Sequence, residues 1–144
     1  MTASVTDAEV APGKRISMVF DVAPKPKMHV YAPGKHDYQV ISVALDPQPW
    51  LKLQPAVYPK SEIHDFKELN EQVEVYSKPF KLLQDVTILA TPDVQKLLAG
   101  LATVTLSGKL NYQACDDKLC YPPAAVPVSF TLTVTPLDRR PAGQ

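Results

Sequence analysis

The chain has 144 residues, enough for one domain and too few for two ordinary cores. Its 45% hydrophobic and 21% charged residues give a globular balance, and no apolar run is long enough to span a bilayer. Fifteen Lys and Arg against fifteen Asp and Glu leave no net field to gather nucleic acid or anionic lipid, so a soluble chain with no nucleic-acid partner and no membrane insertion is expected.

With 15 prolines and only 5 glycines, the pattern favours short strands joined by rigid connections and argues against long helices. Met1 to Val10 has neither the basic region nor the apolar region of a secretory signal. Residues 1–12 read as a flexible segment, 13–137 as one domain and 138–144 as a polar tail or linker, as in a piece cut from a longer protein. From Arg15 to Ala23, Ile16, Met18, Phe20 and Val22 alternate with Ser17, Val19 and Asp21, the period of a half-buried strand, which Pro24 and Pro26 end. The apolar run Met28-His29-Val30-Tyr31 precedes a turn at Ala32-Pro33-Gly34-Lys35. Alternation resumes from Tyr38 to Leu45 and closes at Asp46-Pro47. Trp50, a core or edge anchor, begins a stretch broken by Pro55 and Pro59 that suits a sheet edge. Lys60 to Gln72 is polar and without period, and reads as a long surface loop of the kind that carries function. Val73 to Tyr76 and Phe80 to Ala90 have strand character. Thr91-Pro92-Asp93 followed by Val94 to Gly100 offers a cap, an apolar stripe and a glycine stop for one short helix. Ala102 to Gln113 and Ala125 to Thr135 are the best strand candidates, and the cysteines lie between them at a hairpin tip. The fold class expected is all-β, an immunoglobulin-like β-sandwich.

Cys115 and Cys120, with four residues between them, admit three readings. A structural disulfide closing so short a loop gains roughly 2 kcal/mol at most from chain entropy. A zinc site would need two more ligands from His29, His36 or His64, which are dispersed singly rather than paired, so no metal is expected. A redox dithiol fits an exposed tip that an attacking thiolate can reach. Spacing alone leaves the redox and structural readings nearly even. Asp116 and Asp117 beside Cys115 disfavour a thiolate there, Lys118 partly offsets them, and such a pair would react mainly with an activated partner thiol.

The run Asn111-Tyr112-Gln113-Ala114-Cys115-Asp116-Asp117-Lys118-Leu119-Cys120-Tyr121-Pro122-Pro123 resembles the active-site hairpin of the N-terminal periplasmic domain of the DsbD family. Met28-His29-Val30-Tyr31 and Glu74-Val75-Tyr76 extend the likeness over most of the chain. The resemblance implies a periplasmic, monomeric sandwich that relays electrons from a thioredoxin-like donor to thioredoxin-fold acceptors, including those of cytochrome c biogenesis, with no cofactor beyond its redox-active disulfide. It implies that Cys120 forms mixed disulfides and that Cys115 resolves them. It also implies an aromatic cap drawn from Lys60 to Gln72, with Phe66, next to Asp65, as first choice and Leu69 as second. His29 and Tyr31 would line the disulfide, as the family's tyrosines do, the alternative being Tyr31 packed in the core and His29 facing solvent; Asp65 would be a proton acceptor near a thiol or else simply solvated. Tyr112, Gln113, Asp116 and Asp117 would surround the pair, and Tyr121-Pro122-Pro123 would shape a docking edge. The family has one residue more between its cysteines than the four here, so the loop differs. The competing expectation is a non-catalytic interaction domain with a structural bridge.

Overall fold

A computed structural model describes residues 1–66 and 70–135. In chain order the elements are β1 (Thr2–Val5), β2 (Glu9–Val10), β3 (Arg15–Val22), β4 (His29–Tyr31), β5 (Ser42–Leu45), β6 (Leu51–Leu53), β7 (Glu62–Phe66), β8 (Glu71–Tyr76), β9 (Phe80–Ile88), α1 (Pro92–Ala99), β10 (Thr103–Tyr112), β11 (Ala114–Cys115) and β12 (Ala124–Val134). They form three four-stranded sheets, ordered β1-β3-β9-β6, β2-β12-β10-β5 and β11-β4-β8-β7. The fold is an all-β sandwich with one short helix, as expected.

Alternation builds the main core. Ile16 and Phe20 of β3 pair with Val86 and Leu82 of β9, and all four are buried. The inward residues Leu106, Leu110, Val128 and Leu132 of β10 and β12 join the same core, which removes both apolar faces from water. Gly108 stands opposite Leu45 where β5 pairs with β10; a Cβ there would run into the Ala44 carbonyl oxygen and stand 2.7 Å from Leu45 Cα, so only glycine admits this close pairing. Helix α1 starts as its sequence predicts, with Thr91 Oγ1 accepting from the Val94 N–H at 3.3 Å, and it buries Val94 and Leu98.

Two expectations are corrected. Within residues 1–12, read as flexible, β1 pairs with β3 and β2 runs parallel to β12, because Ala3, Val5 and Val10 alternate with polar neighbours and pack on the core. Within Lys60 to Gln72, read as a loop, β7 pairs with β8 from Glu62↔Val75 to Phe66↔Glu71. Its inward positions are Glu62, His64 and Phe66, while Ile63 is 60% exposed, so hydrophobicity gives no strand signal. Asn70 takes the left-handed conformation (φ 51°) just before β8, which a short polar side chain tolerates.

The third sheet has two unlike faces. Val30, Tyr76 and Ala114 turn toward the main core, and their chain neighbours Tyr31, Val75 and Cys115 turn the other way. Tyr31, Val73, Val75 and Cys115 thereby make a second, smaller core, covered by Tyr38 and Phe66.

Candidate functional site

Cys115 and Cys120 are joined by a disulfide, with Cα atoms 4.0 Å apart. They face each other across a small antiparallel bridge, held by the Asp116 N–H to the Leu119 carbonyl (2.9 Å) and the Tyr121 N–H to the Ala114 carbonyl (3.0 Å). The Asp116 carboxylate accepts from the Lys118 and Leu119 N–H groups at 2.8 and 2.7 Å, an Asx turn that shapes the tip. Those backbone bonds hold its pKa below the ordinary value. The two cysteine residues differ in exposure: Cys115 is 1% exposed and Cys120 is exposed.

Period-2 geometry brings a ring of aromatic and imidazole side chains to the Cys115 face. His29 is the register partner of Cys115, and Tyr31 follows two residues along the same face. The Tyr31 hydroxyl stands 3.7 Å from Cys120 Sγ and, the sulfur having no proton, is the donor. Burial, then Tyr38 and Glu71, push its pKa up to about 12, so it keeps its proton at any working pH. Tyr38 stacks on Tyr31 at 4.4 Å with the planes 7° apart, and its own hydroxyl donates to Glu71 Oε2 at 3.2 Å. His36 accepts from the Tyr38 N–H at Nδ1 (3.2 Å), which leaves Nε2 to donate to the Ala32 carbonyl at 2.6 Å. From β7, His64 stacks on His29 at 5.1 Å and Phe66 packs its ring 4.3 Å from His64 and 5.6 Å from His29. His64 Nε2 is also 3.2 Å from Asp117 Oδ1, which ties β7 to the cysteine turn.

The expected site residues divide accordingly. His29, Tyr31, Phe66, Asp116 and Asp117 gather around the disulfide. Gln113 lies on the hairpin stem, its amide donating to the Tyr121 carbonyl at 3.2 Å. Tyr112, Tyr121 and Pro122 line a cavity of about 600 Å³, together with Met28, Val22, Pro24 and Ala114, the residue before Cys115. Asp65 is exposed and occupies the β7 position opposite Gln72, on the other face from His64 and Phe66, so it stands away from the thiols. Leu69 lies outside the described residues. His36, Tyr38 and His64 join the cluster although they lie far from the cysteines in sequence: the β7–β8–β4 register brings in His64, and the connection from β4 to β5 brings in His36 and Tyr38. The three histidines, dispersed along the chain, thus share one cluster, yet among the described residues no group of three ligands converges as a metal would need.

The model of the N-terminal domain of thiol:disulfide interchange protein DsbD matches residues 2–132, most of the chain. The chain belongs to this family. DsbD N-terminal domains take part in thiol–disulfide interchange in the periplasm with thioredoxin-like partners, and their redox group is the disulfide itself. No individual curated protein matches the chain. No described helix is long and apolar enough to cross a membrane. In this DsbD N-terminal domain the matched span takes in the cysteine hairpin, β4 and the β7–β8 hairpin, which are the elements that build the site.

Proposed function

We propose that this domain relays electrons between thioredoxin-fold partners in the periplasm by opening and closing the Cys115–Cys120 bond. The observation that carries the proposal is the asymmetry of the pair, with residue Cys115 buried and residue Cys120 at an exposed position of the hairpin tip. A donor thiolate attacks exposed Cys120, the S–S bond breaks, and Cys115 leaves with the electron pair. The donor's second thiolate then attacks the mixed disulfide, which frees Cys120 and leaves both cysteines reduced. In the outward half, the Cys120 thiolate attacks an oxidised acceptor, and Cys115 resolves that mixed disulfide. Tyr31, 3.7 Å from Cys120 Sγ, donates to the sulfur as it gains charge. Phe66 and Tyr38 cover the small core that holds Cys115. The cavity lined by Tyr112, Tyr121 and Pro122 reaches Ala114 and Tyr121, the chain neighbours of the two cysteines, and supplies an apolar docking edge.

Equilibration with glutathione tests the proposal. A relay disulfide exchanges within the range of cellular thiols, whereas one that stays oxidised well below about −300 mV is structural. Partner function that survives the pair Cys115→Ser and Cys120→Ser would favour an interaction domain instead.

A further inference from the structure

His29 Nε2 is buried and has no hydrogen-bond partner. The whole side chain is 3% exposed, and it stands opposite Cys115 in register, so the two side chains leave the same face of the sheet as nearest cross-strand neighbours. Buried nitrogens are almost always paired, and an exception calls for an explanation. In the oxidised protein Cys115 has no proton to offer. In the reduced protein it has one, on a buried side chain.

We propose that His29 accepts the proton of the Cys115 thiol in the step that closes the disulfide. This rests on the reading that Cys120 carries the mixed disulfide. The other basic groups on this face are engaged. His36 has both ring nitrogens bonded, His64 Nε2 lies on Asp117, Glu71 accepts from Tyr38, and the Tyr31 hydroxyl faces Cys120. Burial, followed by the nearby His64, holds the His29 pKa below its ordinary value, so the ring is a free base at neutral pH. Asp117 and Asp116 act in the opposite sense and favour the imidazolium once the proton arrives.

The step balances as follows. Cys115 Sγ–H gives its proton to His29, and the resulting thiolate attacks Cys120 Sγ. The Cys115–Cys120 bond forms while the bond from Cys120 to the partner sulfur breaks. The partner sulfur leaves with the electron pair and takes up the proton, so the partner's disulfide is reduced by two electrons and this pair is oxidised.

The test uses reduced protein and glutathione disulfide, with acid quenching and mass analysis to separate adduct formation at Cys120 from closure. His29→Phe should slow closure at least about tenfold at pH 7 and make its rate climb with pH through the thiol range, while adduct formation changes less than about twofold. His29→Gln, which keeps polarity without a base, should behave like His29→Phe. Closure with unchanged rate and pH profile in a folded variant overturns the proposal. So does equal slowing of both steps. In the unaltered protein, the His29 ring titration followed by NMR should shift between oxidised and reduced forms, and one common midpoint would overturn the proposal without any mutation. If Cys115→Ala forms no glutathione adduct at Cys120, the exchange reading itself fails and this proposal with it.

Discussion

Replacing Tyr31 with Phe removes one hydroxyl from a side chain that is 1% exposed and leaves the stacked ring beneath Tyr38 in place. That hydroxyl's partner is Cys120 Sγ at 3.7 Å. A hydrogen bond to a charged acceptor contributes about 1.5–3 kcal/mol, and this oxygen–sulfur separation is long, so the lower end applies. At about 1.4 kcal/mol per pKa unit, the Cys120 thiol of Tyr31→Phe should titrate roughly one unit higher. Below that pKa the thiolate fraction falls about tenfold, but a more basic thiolate attacks faster, with a Brønsted slope of about 0.4–0.5. The observed rate at fixed pH should therefore drop only about three- to fourfold. The assay is the pH dependence of reaction with a small aromatic disulfide, in the Cys115→Ala background so that only Cys120 reports. A midpoint and rate unchanged by Tyr31→Phe would refute the reasoning and leave Tyr31 as packing alone.

Phe66→Ala should speed alkylation of Cys115 in the reduced pair about three- to tenfold, by opening the cover, as peptide mapping of the modified cysteine would show; an unchanged rate would place the cover elsewhere. Gly108→Ala should cost about 1–3 kcal/mol in denaturant unfolding, because the added methyl meets the backbone of Ala44 and Leu45 rather than a movable side chain. The pH dependence follows from His29, whose pKa is lowered on folding from an ordinary 6.5. Below that value the unfolded chain binds a proton that the folded chain does not, so stability of the oxidised protein should fall as pH drops from about 6.5 and level off once the folded pKa is passed. His29→Phe should flatten this part of the profile. Asp85, held low first by Ser17 and then by Arg15, acts in a more acidic window, losing its contribution as pH falls below its ordinary 3.8.

The parts of the fold legible in the sequence are those where pattern and burial coincide. Ile16, Met18 and Phe20 alternate because β3 has one face in the core, and Thr91 with Pro92 marks the start of α1 by cap chemistry. The hairpin of β10 and β12 around the cysteines is legible for the same reason. β7 is not, since its inward residues are His64, Phe66 and a glutamate, and its outward ones include Ile63. Once β7 is missed, so is the meeting of His64 with His29, because it exists only in the β7–β8–β4 register. Tyr38 is hidden differently: it belongs to a connection that folds back over Tyr31, a placement no local period encodes. The cysteine pair, by contrast, is bounded by Tyr-Gln on one side and Tyr-Pro-Pro on the other, and that local signature is enough to find the chemistry.

The most direct test of the relay offers a thioredoxin-fold domain, with its single remaining active-site cysteine activated as a mixed disulfide with thionitrobenzoate, to the reduced single-cysteine variants. Exposed Cys120 in Cys115→Ala should yield the covalent complex readily, and buried Cys115 in Cys120→Ala at least about tenfold more slowly. A complex formed chiefly through Cys115, or through neither, would contradict the account.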